Sequence, residues 1–143
     1  MYIKQISVFI ENRTGRLAEF CRLLGDNGID MIAITIADTT SFGILRAIVS
    51  DTDRAVQVLR EANYAVTITE VLAVAINDQP GGLASALELL RAHNVNVEYL
   101  YSFVRHVGDD CAILFRVDQP EEAVRVFMEN GIRLLSAAEV EVK

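Results

Sequence analysis

Two short segments of the sequence each place a glycine turn at the start of a helix, an arrangement that binds small anions in many proteins. They read Thr14-Gly15-Arg16-Leu17-Ala18 and Pro80-Gly81-Gly82-Leu83-Ala84. The offset that aligns Gly15 with Gly81 also aligns Leu23-Leu24 with Leu89-Leu90, without a gap. Glycine lets the backbone turn sharply, and the unpaired N–H groups of a first helical turn attract carboxylates or phosphates. The sequence therefore predicts an internal duplication with one anion-binding loop in each half.

Polar side chains that could accept hydrogen bonds from an amine lie near both loops. Asn12 and Asp78 precede the two glycines, whereas Asp30 and Asn96 follow the two helices, where the next strand begins. Donors for a carboxylate together with acceptors for an ammonium group suit a free amino acid. Asn, Asp and Gly are also ordinary turn and cap residues, so the residue types alone leave a purely structural role open.

Hydrophobic periodicity places the first loop between a strand and a helix. Near-alternation over residues 2–10 predicts a strand, and apolar residues at helical spacing from Arg16 predict a helix that ends at Asn27-Gly28. A second helix is predicted after the Ser50-Asp51 cap. Further strands are predicted over 29–37, 42–49 and 64–71, with a hairpin turn over 38–41.

The second half repeats this order of elements. Strands are predicted over 72–76, 95–104, 111–117 and 132–142, and helices over 83–92 and from Pro120. Each half then has the β-α-β-β-α-β order of the ferredoxin-like fold. The prediction is an α+β protein of two tandem ferredoxin-like units, residues 1–71 and 72–143, with antiparallel sheets and helices on one face.

Both loops resemble the ACT domain family. The resemblance is carried by Asn12-Arg13-Thr14-Gly15-Arg16-Leu17 with Asn27-Gly28-Ile29-Asp30-Met31, and by Asp78-Gln79-Pro80-Gly81-Gly82-Leu83 with Asn94-Val95-Asn96-Val97. As two tandem copies it covers essentially the whole chain. The resemblance implies small regulatory modules that bind amino acids or similar metabolites at interfaces between paired domains.

Carried over by position, the resemblance assigns ligand binding to the loops and to the starts of the second strands. The candidates in the first copy are Asn12, Arg13, Thr14, Gly15, Asp30, Met31 and Ile32, and those in the second are Asp78, Gln79, Pro80, Gly81, Asn96, Val97 and Glu98. The first copy has Thr14 where the second has the family's proline, Pro80. This difference predicts a less rigid first loop.

Composition narrows the classes of partner and compartment. The net charge of −7 argues against nucleic acid as a partner, because phosphate binding needs clustered Lys and Arg. No apolar run approaches the roughly 20 residues that span a bilayer, so no membrane association is predicted. The N-terminal residues lack a signal-peptide layout. Cys21 and Cys111 are expected to be buried free thiols, and the protein is expected to be cytoplasmic.

Neither catalysis, nor a cofactor, nor a metal site is predicted. His93 and His106 have no cysteine or carboxylate at metal-ligand spacing, and no serine belongs to a nucleophile motif. An acylphosphatase-like hydrolase needs an arginine in its loop, and only the first copy offers Arg13 and Arg16. An RNA-binding module needs exposed aromatic residues on the third strand, and residues 43–49 contain none.

The predicted function is that of a stand-alone tandem ACT protein without a catalytic domain, which senses an amino acid at a domain or subunit interface. The signal would pass to a metabolic enzyme or regulator, or through the oligomeric state. A homodimer is expected, because units near 70 residues leave apolar faces to cover. The alternative is a structural protein–protein interaction module with degenerate ligand sites.

Overall fold

A computed structural model describes residues 2–38, 41–104 and 108–141. The chain divides into two units, one built mainly from residues 4–70 (the first unit) and one built mainly from residues 71–140 (the second unit). Antiparallel strands alternate with helices in both. The predicted fold class, an α+β protein of tandem ferredoxin-like units, is confirmed.

The first unit contains an antiparallel sheet with strand order β2-β3-β1-β4. Its elements are β1 (Ile3–Glu11), α1 (Arg16–Asp26), β2 (Met31–Asp38), β3 (Phe42–Val49), α2 (Thr52–Glu61) and the beginning of β4 (Val66–Asn77). Alternate residues of β1 and β3, such as Val8 and Leu45, pack with Phe20 of α1 and Leu59 of α2 in one buried core. In the predicted hairpin turn after β2, Thr39 and Thr40 lie outside the described residues.

Strand β4 corrects one prediction. Two strands were expected over 64–71 and 72–76, but a single strand runs from Val66 to Asn77 without interruption. No glycine or proline lies in this stretch, so nothing in the local sequence ends the first strand before the next begins. Residues 66–70 of the strand belong to the first unit and residues 71–77 to the second.

The second unit has the strand order β4-β6-β5. Its further elements are α3 (Gly82–Ala92), β5 (Val97–Ser102), β6 (Asp110–Val117), α4 (Pro120–Glu129) and α5 (Ala137–Glu141). Phe115 of β6 and Phe127 of α4 meet edge to face in its core, with ring centroids 5.9 Å apart. None of the described helices is long and apolar enough to cross a membrane.

The strand predicted over 132–142 is wrong. Of the described residues 132–141, Leu134 alone forms a β-bridge, with Val74 of β4, and the chain then turns into α5. The Ser136 hydroxyl accepts from the N–H of Glu139, and the Glu139 carboxylate accepts from the N–H of Ser136, both at 3.2 Å. This reciprocal pair is a capping box, which starts a helix where the apolar alternation indicated a strand.

Candidate functional site

The two glycine loops have the same backbone structure. Gly15 precedes α1 with φ of 90°, and Gly81 precedes α3 with φ of 87°, a left-handed conformation that favours glycine. In each loop the first helical N–H, of Arg16 or Gly82, donates to a carbonyl three residues earlier, at 3.2 and 3.0 Å. No side chain of the described residues caps either helix. The first turn of each helix therefore retains N–H groups for an anion.

The two loops differ at the first helical residue, which is Arg16 in the first unit and Gly82 in the second. A Cβ atom on Gly82 would lie 2.1 Å from the carbonyl oxygen of Asn77, far inside van der Waals contact. The start of α3 therefore approaches the end of β4 so closely that only glycine fits. A Cβ atom on the neighbouring Gly81 would meet no described atom within 4 Å, so the constraint there is the positive φ.

Arg16 fills the first loop with its own side chain. Its guanidinium lies 2.8 Å from Glu19 and 3.9 Å from Glu11, and 5.8 Å from the ring centroid of Tyr64. Its Nε atom is buried without a hydrogen-bond partner among the described residues. Arg13 is exposed, with its Nε 3.4 Å from Glu11. The Arg16 guanidinium of this loop is thus already paired with carboxylates of the protein itself.

The other predicted loop residues lie at the surface. They are Asn12 and Thr14 in the first unit and Asp78, Gln79 and Pro80 in the second. Their exposure leaves both loops accessible to a small molecule.

The predicted residues at the starts of β2 and β5 are held by matching pairs of hydrogen bonds. The Asp30 N–H donates to the Ser50 hydroxyl, and the Ser50 N–H donates to the Asp30 carbonyl, both at 2.9 Å. The Asn96 N–H donates to the Asp118 carboxylate at 2.9 Å, and the Asp118 N–H donates to the Asn96 carbonyl at 3.0 Å. These bonds fix the backbone, while the Asn96 side chain remains exposed.

The remaining candidates on β2 and β5 are mostly apolar. Met31 and Val97 are half-buried, and Ile32 is buried. Glu98 is exposed, and its Oε1 lies 3.4 Å from Nε of Arg116. Glu98, the one charged residue among these four, is therefore already paired with Arg116.

Each unit keeps its loop and its strand start at opposite ends of a helix. Helices α1 and α3 each contain 11 residues, a length of roughly 16 Å at 1.5 Å per residue. A free amino acid is much shorter than this. Neither unit alone therefore brings its two predicted segments onto one small ligand.

A cavity of about 350 Å³ opens in the second unit beside the glycine loop. It lies between the end of β4, the first turns of α3, the start of β6 and the segment after α4. Its polar lining residues are Asn77, Ser85, Asp110 and Arg133, and the others are Ala75, Ile76, Gly82, Ala86, Gly131 and Ile132. None of these lining residues was predicted from the sequence as a site residue. Asn77 directly follows the strand predicted over 72–76 and Asp110 directly precedes the strand predicted over 111–117, a signal that could have found them, whereas nothing local marks Arg133.

A second, more open cavity of about 360 Å³ lies at the other end of α3. Its lining includes the predicted residues Asn96 and Val97, together with Arg91 and Asn94. The two predicted segments of the second unit thus adjoin separate cavities.

Two carboxylates, those of Asp78 and Asp110, lie near the Cys111 thiol beside the second glycine loop. Burial raises the pKa of the Cys111 thiol, and the hydrogen bond with Asp78 and the carboxylate charges of Asp78 and Asp110 raise it further. Burial also raises the pKa of Cys21. Both cysteines are half-buried free thiols. The carboxylates near Cys111 provide acceptors for a cationic group.

His93 lies at the C-terminal end of α3, at the opposite end of the helix from the glycine loop. His93 is the C-cap residue of α3, and its Nδ1 lies 3.0 Å from the Leu89 carbonyl oxygen, as expected for a residue that caps a helix. His106 lies outside the described residues.

Comparisons with known proteins agree with this architecture. The sequence pattern of the ACT domain pair family matches residues 1–142. A protein from Bacteroides thetaiotaomicron, known from its crystal structure, is 36% identical to this chain with a TM-score of 0.93. The match covers 100% of this chain and 98% of that protein.

More distant structures share the fold. The regulatory subunit of aspartate kinase from Thermus thermophilus, in its ligand-free form, is 16% identical with a TM-score of 0.62, over 88% of this chain and 91% of that one. Aspartokinase III of E. coli, solved in complex with lysine and aspartate, is 16% identical with a TM-score of 0.52. That match covers 90% of this chain and 31% of the aspartokinase. No curated protein matches the sequence.

Proposed function

Because this chain belongs to the family of ACT domain pairs, we propose that it is a regulatory protein that binds a free amino acid and catalyses no reaction itself. Family membership supports a regulatory role that depends on a small molecule. The observation that carries the choice of an amino acid is the second glycine loop. There the uncapped start of α3 offers donors to a carboxylate, and Asp78 and Asp110 offer acceptors to an ammonium group.

We further propose that the ligand lies at an interface between two copies of the chain. Each unit holds its loop and its strand start about one helix length apart, so a second copy would supply the residues that close the site. The aspartokinase III of E. coli, which shares this fold over 31% of its length, was solved in complex with lysine and aspartate.

The regulatory step would follow from differential affinity. A ligand that contacts two copies binds the assembled form better than the separate chains, and it therefore shifts the population toward that assembly. A metabolic enzyme or another regulator, or the oligomeric state itself, would report the change.

An exposed apolar patch favours a second candidate function, a protein–protein interaction module. Phe9 of β1 and Phe42 of β3 are 56% and 51% exposed. Phe9 pairs with Ile44 and Glu11 pairs with Phe42 across the strands, so these side chains share the sheet face away from the buried core. This patch suits a second copy or a different protein, with or without a ligand.

A thermal-shift screen of the purified protein against the standard amino acids tests the proposal, with nucleotides and acyl phosphates as controls. A ligand at about 100 times its Kd adds about 2.7 kcal/mol of stability, which is a shift of several degrees. The Gly81→Val variant should lose this shift, because a β-branched residue is strained at positive φ. If no amino acid raises the Tm, the interaction module becomes the better description.

A further inference from the structure

The cavity beside the second glycine loop exists because the second unit has small residues where the first has large ones. Equivalent positions follow from the loop offset, from the strand pairs Glu11–Phe42 and Asn77–Asp110, and from the turns after α2 and α4. The first-unit and second-unit residues are Arg16 and Gly82, Glu19 and Ser85, Phe20 and Ala86, and Tyr64 and Ile132.

In the first unit the equivalent space holds protein groups. Phe20 and Tyr64 meet edge to face, with ring centroids 5.6 Å apart. The Arg16 guanidinium lies over the Tyr64 ring and is paired with the carboxylates of Glu11 and Glu19. At this position the first unit therefore already has one positive and two negative side chains of its own, those of Arg16, Glu11 and Glu19.

In the second unit the same position is open and has a charge of each sign on its lining. Arg133 supplies the positive charge, and its backbone is anchored by the Ala75 N–H, which donates to the Arg133 carbonyl at 2.9 Å. Its Nη2 is paired with Glu139, which leaves further N–H donors of the guanidinium for a ligand. Asp110 supplies the negative charge at the start of β6.

We infer that this cavity is the part of the amino acid site contributed by one chain, with the ligand's α-carboxylate bound by Arg133 and the first turn of α3, and its ammonium group bound by Asp110. The inference rests on the proposed function and adds the binding residues and the stoichiometry. Each chain binds one ligand, because the Arg16 side chain occupies the corresponding space in the first unit. A volume of about 350 Å³ lies at the lower end of the range for ligand pockets, which suits an amino acid better than a nucleotide.

Isothermal titration calorimetry of the full chain, with the amino acid that gives the largest thermal shift, tests the two charged residues. Arg133→Ala and Asp110→Asn should each weaken binding by about tenfold or more, the loss expected for one charge-assisted hydrogen bond. Arg22→Ala and Asp26→Asn are matched controls, because this exposed pair lies on α1, with 3.8 Å between Nη1 and Oδ1. Both controls should bind like the unmodified protein, with one ligand per chain.

Ligand analogues test which group each residue binds. Replacing the amino acid by its amide removes the carboxylate charge and should weaken binding to the unmodified protein. The Arg133→Ala variant should distinguish the acid from the amide less strongly than the unmodified protein does, because only the N–H groups of α3 still bind the carboxylate. The Asp110→Asn variant should still distinguish the acid from the amide.

An exchange between the two units tests the role of cavity space. Ser85→Glu introduces, at the exposed edge of the cavity, the glutamate that the first unit has at the equivalent position, and this variant should lose ligand binding. The reverse change in the first unit, Glu19→Ser, should leave ligand binding intact. Circular dichroism establishes that the variants are folded.

Two results would overturn the inference. If the unmodified protein binds an amino acid, but Arg133→Ala and Asp110→Asn retain full affinity or two ligands bind per chain, the residue assignment fails and the proposed function stands. If the unmodified protein binds no amino acid, the proposed function fails as well.

Discussion

Replacement of Gly82 by alanine is the most direct test of the second loop's geometry. The added Cβ would lie 2.1 Å from the Asn77 carbonyl oxygen, a backbone atom that no rotamer change can move. Overpacking in well-packed regions costs about 1–3 kcal/mol, and a contact with backbone belongs near the upper end. A unit near 70 residues loses about 4–8 °C of Tm per kcal/mol, so a decrease of more than about 10 °C is expected. Thermal and urea unfolding, followed by far-UV circular dichroism, measure it.

Two other glycines serve as controls for the same substitution. The Cβ that Gly81→Ala adds meets no described atom within 4 Å, so this variant loses only the left-handed backbone cost of about 1–2 kcal/mol in stability. It should therefore be the milder change. Gly25 lies inside α1 with open space at its Cβ, and alanine there should be neutral or stabilise by up to about 1 kcal/mol. Gly82→Ala with unchanged stability, or with a smaller loss than Gly81→Ala, would refute the close approach of α3 to β4.

Two further predictions concern the thiols and the exposed apolar patch. The raised pKa of Cys111 keeps its thiol protonated at neutral pH, so iodoacetamide should alkylate it more slowly than free cysteine. Asp78→Asn should speed alkylation at Cys111 and not at Cys21, as measured by mass spectrometry of the peptides, and equal acceleration at both would contradict the Asp78 contact. If the patch around Phe9 is the homodimer surface, Phe9→Asp should halve the mass measured by light scattering. The control Met128→Asp, at a 58% exposed position on α4, should leave the measured mass unchanged. If Phe9→Asp is still a dimer, the patch around Phe9 is not the homodimer surface.

Elements with strong local signals were predicted well from the sequence. The strand predicted over 42–49 is β3 with the same bounds. Asp51 caps α2 by accepting a hydrogen bond from the Arg54 N–H at 3.1 Å, and Pro120 begins α4. These features depend on residues within a few positions of one another, and their geometry is the same in most structural contexts.

Predictions failed where a local pattern had two structural solutions. The stretch from Val66 to Ile76 fits two short strands or one long strand, and the structure has one, β4, which lies between β1 and β6 in the strand order. The segment after Leu134 alternates like a strand, but the Ser136–Glu139 capping box competes with that pattern and forms α5.

The sequence by itself determined the duplication and the two glycine turns at Gly15 and Gly81, because turn chemistry is local. The assignment of ligand binding to the loops and strand starts remains a prediction. Only the tertiary structure places Asp110 and Arg133 beside the loop of Gly81, although they are far away in the chain. Only the tertiary structure also shows that the side chain of Arg16 pairs with carboxylates of its own unit. A cavity is the volume that side chains from several distant elements leave unfilled, and no local pattern specifies that volume.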